Sequence, residues 1–144
     1  MITVPSRVVE ATLDTFQRCG TGRRECVAYW TGARGSGQVS QIVHPRHRSG
    51  PAGYQVDQNW VIEFFLGLSN EARQTLVQIH THPGSWVGHS ETDDRFVLVP
   101  SVGFHSIVVP NFGYGRDPES WGIWRLERDG NWSPARMDVE WIRG

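Results

Sequence analysis

At 144 residues, with fourteen basic against fifteen acidic side chains, the chain has the size of one domain, residues 1–144, able to bury about 68–70% of its unfolded surface. A net charge of −1 with no basic run excludes electrostatic capture of nucleic acid, and no apolar window approaches the roughly 20 residues of a membrane span. Two cysteines occur, Cys19 and Cys26, without the spacing of a metal knuckle or a disulfide framework. The N-terminal Met-Ile-Thr-Val-Pro-Ser-Arg lacks the apolar core of a signal peptide, so a cytoplasmic location is expected. All fourteen basic residues are arginine, and there is no lysine. Codon composition is one reading of that absence. The other is a protein working beside a machinery that tags lysine amines, since arginine keeps the charge without a nucleophilic amine.

In chain order, residues 6 to 19 place Val8, Val9, Leu13 and Phe16 on one helical stripe, with Ser6 as the N-cap and Gly20 or Gly22 as the stop. Residues 24 to 31 are apolar on both faces, as in a strand covered on both sides. A second strand over 37–43 returns antiparallel through the Gly-rich turn at 35–37. His44 and His47 stand among arginines before a Gly/Pro/Ser loop at 49–53, which reads as a solvated basic patch. Asp57 opens a helix carrying Trp60, Ile62, Phe64, Phe65 and Leu68, with a break at 69–71. Strands follow at 75–82, 104–109 and 121–127, separated by a helix from Ser90 to about Leu98 and a loop over 110–119. Asp129-Gly130 is a hairpin turn, after which the tail reads as an edge strand or a short extension. The order indicates an α/β sandwich with a mixed sheet.

The informative stretch is 76–95. His80 and His82 end its strand, and residues two apart on a strand project to the same face, so both imidazoles reach one point. After seven intervening residues, Ser90-Glu91-Thr92-Asp93 starts a helix with Ser90 at the N-cap and Asp93 one turn in. Two imidazoles and one carboxylate form a three-ligand zinc set, leaving the fourth tetrahedral position for water, as in catalytic zinc sites.

HxH, seven residues, then SxxD resembles the signature of the JAB/MPN (JAMM) zinc metalloprotease family, carried by His80, His82, Ser90 and Asp93. The resemblance extends from about residue 7 to about residue 127. It implies a cytidine deaminase-like three-layer sandwich, a mixed sheet flanked by helices. It also implies a general base on an earlier strand, for which Glu25 is the match. Zn²⁺ on His80, His82 and Asp93 would activate water, Glu25 would shuttle its proton, and Ser90 would stabilise the oxyanion.

A stand-alone form of this kind resembles the bacterial branch associated with ubiquitin-like conjugation. The expected activity is that of a deubiquitinase-like isopeptidase, cutting after the C-terminal glycine of a ubiquitin-like protein to deconjugate it or process its precursor. The expected partners are that protein, its conjugates and the E1-like and E2-like enzymes of the pathway. A zinc hydrolase of sulfur-carrier or small-peptide metabolism and a catalytically silent scaffold are the alternatives.

Overall fold

The computed structural model describes residues 1–89, 99 and 101–144. The elements run β1 (Ile2–Pro5), α1 (Ser6–Gly20), β2 (Val27–Ala33), β3 (Gln41–Val43), β4 (His47–Gly50), β5 (Gly53–Val56), α2 (Gln58–Asn70), β6 (Arg73–Thr81), β7 (His105–Val109), β8 (Gly122–Leu126), β9 (Trp132–Pro134) and β10 (Val139–Ile142). A six-stranded sheet has the order β3-β2-β6-β7-β8-β9. The β6–β7 pair is parallel and the other neighbours are antiparallel, so the sheet is mixed, as expected.

Two helices cover opposite faces of this sheet. Val8, Leu13 and Phe16 of α1 join Ala28 and Trp30 of β2 and Val77 and Ile79 of β6 in one buried cluster. The Trp30 indole N–H donates to Thr12 Oγ1 at 2.8 Å, which satisfies its polar end inside that core. On the other face, Tyr29 packs against Trp60 and Phe64 of α2. That burial lifts the Tyr29 phenol well above its ordinary pKa. Alternation along β2 and β6 thus separates an α1 face from an α2 face, giving three layers.

The helix starts follow their local chemistry. Asp57 caps α2 as expected, its Oδ1 accepting from the Trp60 backbone N–H at 3.0 Å. Ser6 does not cap α1. Pro5 holds the cap position without a side-chain bond, and the Ser6 hydroxyl instead accepts from Gly144 N at 3.1 Å. The helix ends at Gly20, with Thr21 in the left-handed region and its N–H bonded to Gln17 O.

Several expectations are corrected. The loop expected over 49–53 is the turn region of a hairpin, β4 pairing with β5 from His47↔Val56 to Gly50↔Gly53. The tail returns twice, as edge strand β9 on β8 and as β10, which runs parallel to β1 in a separate two-stranded sheet. Strand β2 begins at Val27, so Glu25 precedes it, and β3 is shorter than the expected 37–43. Cys19 and Cys26 form a disulfide with Cα atoms 6.4 Å apart. Their chain spacing gave no framework, but the end of α1 and the entry to β2 bring them together. Disulfides persist in oxidising surroundings, so the cysteines no longer argue for a cytoplasmic location. Among the described residues no helix is long and apolar enough to cross a membrane. The helix expected from Ser90 to about Leu98 lies outside the described residues.

A polar clasp fastens β7, β8 and the turn before β10. His105 Nε2 and Arg125 Nη1 both donate to Asp138 Oδ2 at 2.8 Å. These bonds, the one from His105 foremost, hold the Asp138 carboxyl below the usual carboxylate range. A lowered carboxylate pKa stabilises the fold above the unfolded value of about 3.9 and loses that contribution as pH falls. Asp138→Ala is therefore expected to lower stability by about 1–2 kcal/mol at neutral pH. Urea unfolding from neutral pH down to about pH 3 should show wild type and variant converging.

Candidate active site and metal centre

Antiparallel pairing of β2 with β6 sets Val27 opposite His80 and Tyr29 opposite Gln78. Paired residues share a face, so His80 stands on the α2 side of the sheet, fully buried near the end of β6. The pairing continues past β2: Thr81 N donates to Cys26 O at 3.0 Å, and Cys26 N donates to Thr81 Oγ1 at 2.9 Å. Alternation then turns Glu25 to the face of Val27 and His80. Glu25 is 7% exposed, and its backbone N–H donates to Gly50 O at 2.8 Å. Its Oε2 lies only 3.9 Å from where a Cβ on Gly53 would sit, so the carboxylate meets the β4–β5 hairpin. Tyr54, the next residue of that hairpin, packs its ring 5.7 Å from the His80 ring and accepts from Gln78 Nε2 at 3.3 Å.

His82 follows β6 directly and stays on the same face. Its backbone N–H donates to Val109 O at 2.9 Å, and its carbonyl accepts from Phe112 N at 2.8 Å. His82 Nδ1 lies 3.0 Å from the Trp86 carbonyl. A carbonyl only accepts, so Nδ1 carries the proton and Nε2 presents its lone pair. That lone pair points at His80: the two Nε2 atoms are 3.2 Å apart. Two nitrogens each about 2.0–2.1 Å from one tetrahedral zinc lie about 3.3 Å apart. A ligating imidazole typically donates its other N–H to a carbonyl, as His82 does here. The donor set therefore fits a zinc-type ion held by His80 and His82. Asp93, the expected third ligand, and Ser90, the expected oxyanion donor, lie outside the described residues.

The loop carrying Trp86 is pinned to β8. Val87 O accepts from the Trp124 indole N–H at 3.0 Å, and a Cβ on Gly122 would collide with that carbonyl. Gly122 is thus required by close approach of the loop. The Trp86 ring stacks on His82 at 5.2 Å and remains 61% exposed, giving the site an apolar rim. His89 Nε2 lies 2.9 Å from Ser106 Oγ, and the His89 ring stands 6.1 Å from that of His80.

The structure thus brings His80 and His82 together and sets Glu25 at the entry to β2, against the β4–β5 hairpin whose Tyr54 packs on His80. Tyr54 was missed in the sequence because the hairpin that carries it has no strand-like pattern. Of the two histidines read as a solvated patch, His44 is exposed and His47 half-buried; both lie beside the disulfide, with His47 Nε2 3.4 Å from Cys19 Sγ.

Among known proteins, no family model matches the chain. The probable metalloprotease y4jG of Sinorhizobium fredii is 27% identical, the match covering 96% of this chain and 89% of that protein. Solved structures share the fold. A Desulfitobacterium hafniense protein superposes with TM-score 0.68 at 15% identity, covering 100% of this chain and 94% of that one. A JAB1/MPN domain protein of Archaeoglobus fulgidus has TM-score 0.58 at 18% identity, covering 99% and 100%. A structure described as a metalloprotease-like zinc site in the proteasome and signalosome has TM-score 0.58 at 15% identity, covering 99% of both chains.

If His80 and His82 hold a common ion, replacing either should strip it. His80→Ala and His82→Ala are each expected to weaken zinc binding by at least about 100-fold, measured by competition with a chromophoric chelator. Retention of wild-type affinity in both variants would remove the metal reading.

Proposed function

The chain has the JAB1/MPN fold, and we propose that it is a zinc-dependent peptidase. We propose further that it cleaves the peptide or isopeptide bond after the C-terminal glycine of a ubiquitin-like protein, either freeing the modifier from its targets or trimming its precursor. The supporting observation is the pair of Nε2 atoms of His80 and His82, 3.2 Å apart at the end of β6, with the buried Glu25 at the entry to the neighbouring strand. Similarity to the probable metalloprotease of S. fredii agrees with the peptidase assignment.

When bound, zinc supplies Lewis acidity, polarising a carbonyl and bringing the pKa of water towards neutrality. The protein's own groups do the rest. Glu25 takes the proton of the attacking water as its oxygen adds to the scissile carbonyl carbon. The same carboxyl then returns a proton to the departing nitrogen as the C–N bond breaks, so Glu25 ends as it began. His82 is kept in one tautomer by the Trp86 carbonyl, and Tyr54 packs His80 from the hairpin side. Asp93 and Ser90 would complete the set as third ligand and oxyanion donor.

A folded modifier needs more surface than the scissile bond provides. Helix α2 covers the sheet face that carries His80, and on its outer side Ile62 is 60%, Leu66 62% and Phe65 38% exposed. Such an apolar strip suits the surface of a small β-grasp protein. The lysine-free composition also suits a protein working beside lysine-directed conjugation. The activating and conjugating enzymes of that pathway are then natural partners.

The chemistry is tested with a ubiquitin-like protein of the source organism bearing a cleavable extension after its terminal glycine. Glu25→Gln is expected to retain zinc while lowering kcat by about 10²–10⁴-fold. Equal turnover by wild type and variant would remove the general base. Specificity is tested by presenting the same scissile sequence as a short peptide. The folded modifier should raise kcat/KM by more than about tenfold, and Ile62→Asp with Leu66→Asp should erase that gain while leaving peptide cleavage intact. Equal rates on peptide and modifier in wild type would favour a small-peptide hydrolase instead.

A further inference from the structure

We infer that Cys19, Cys26, His44 and His47 form a second cation site, open when the cysteines are dithiol and closed when they are disulfide. The cation it suits is a thiophilic divalent ion such as Zn²⁺. The ligating atoms of Cys19, His44 and His47 all lie within 4.8 Å of one another. His47 Nε2 is 3.4 Å from Cys19 Sγ, and the His44 and His47 rings meet edge to face at 4.9 Å. The His47 tautomer suits ligation. Its Nδ1 lies 2.8 Å from the Pro45 carbonyl and so carries the proton, leaving the Nε2 lone pair on the sulfur side.

Cys26 supplies the fourth ligand: its sulfur, bonded to that of Cys19, adjoins the cluster and turns in towards the two imidazoles once the bond is reduced. Two thiolates about 2.3 Å from one tetrahedral zinc lie about 3.8 Å apart, against about 2.05 Å in a disulfide. Reduction therefore has to part the sulfurs by about 1.7 Å while Cys26 turns towards the imidazoles. The result is a Cys₂His₂ set with no position left for water, the composition of a structural site. It differs from the His80–His82 pair in chemistry, because no sulfur belongs to that pair.

The exchange between states balances without a hidden reactant. A thiol reductant delivers two electrons and two protons, the S–S bond breaks, and Cys19 and Cys26 become thiols. Each thiol loses its proton on taking the cation, so binding releases two protons. Exchange with a small-molecule disulfide, which takes up the two electrons and leaves as two thiolates, re-forms the Cys19–Cys26 bond and expels the cation. Either state cross-links the end of α1 to Cys26, the neighbour of Glu25. Only the cation state also ties both to the segment from His44 to β4. The hairpin that meets Glu25 would then be anchored from both sides.

Cobalt(II) separates this site from the other, because a thiolate–cobalt bond adds a sulfur-to-metal charge-transfer band in the near ultraviolet. Wild-type protein titrated with Co²⁺ after reduction should show that band, and the same protein kept oxidised should not. In reduced protein, His44→Ala with His47→Ala is expected to weaken the cobalt that gives the band by more than about tenfold. A reduced protein without the band, or a double variant binding as tightly as wild type, would overturn the site. Co²⁺ bound without sulfur reports only on His80 and His82, so failure of the proposed peptidase centre would leave the sulfur band in place.

Discussion

Antiparallel pairing of β2 with β6 is the constraint on which the site depends. It sets His80 opposite Val27 and continues through Cys26 and Thr81. Because side chains alternate, one register decides which groups face α1 and which face α2. A slip of β6 by one residue would send Gln78 and His80 into the apolar layer formed with α1, where its Val77 and Ile79 now pack. The cost of that exchange, two polar groups driven into a hydrocarbon core and apolar side chains expelled from it, protects the register. Core packing and site assembly are therefore selected by the same physical preference.

Rigidity at the end of β6 comes from backbone bonds. His82 is bracketed by Val109 and Phe112, Asn111 N donates to Gly84 O, and the following loop is pinned through Val87 to Trp124. Fixing the loop fixes the Trp86 carbonyl, and that carbonyl fixes the His82 proton. A chain of ordinary hydrogen bonds from β8 thus reaches the protonation pattern of an imidazole. Trp86 meanwhile offers its exposed ring as part of the approach to the site.

Local chemistry made much of this visible before any coordinates. The Asp57 cap, the stripe of α1, the period-two placement of His80 and His82 and the run into β7 all depend on neighbours in sequence. What escaped depends on distant partners. His-Arg-Ser-Gly and Gly-Tyr-Gln-Val have little β-branched character, yet they pair as β4 and β5, and Tyr54 reaches His80 only through that hairpin. Strands β1 and β10 are four residues each and take their ladder from one another, with a further bridge from Thr3 to Gln38. The Cys19–Cys26 bond likewise follows from how α1 delivers its end to β2. Ser90 and Asp93 carry the sequence motif but lie outside the described residues, so motif and geometry meet at His80 and His82.

The β1–β10 ladder has a topological consequence. Ile2 pairs with Val139 and Pro5 with Ile142, while Arg7 N donates to Gly144 O at 2.8 Å. Trp141 of β10 packs on Trp30 and Trp121, which belong to the α1 layer. Both ends of the fold therefore emerge side by side, behind the sheet as seen from the histidines. The fold could be spliced into the loop of a host protein, or rejoined end to end and opened elsewhere, with the linker kept clear of the face that carries His80 and His82.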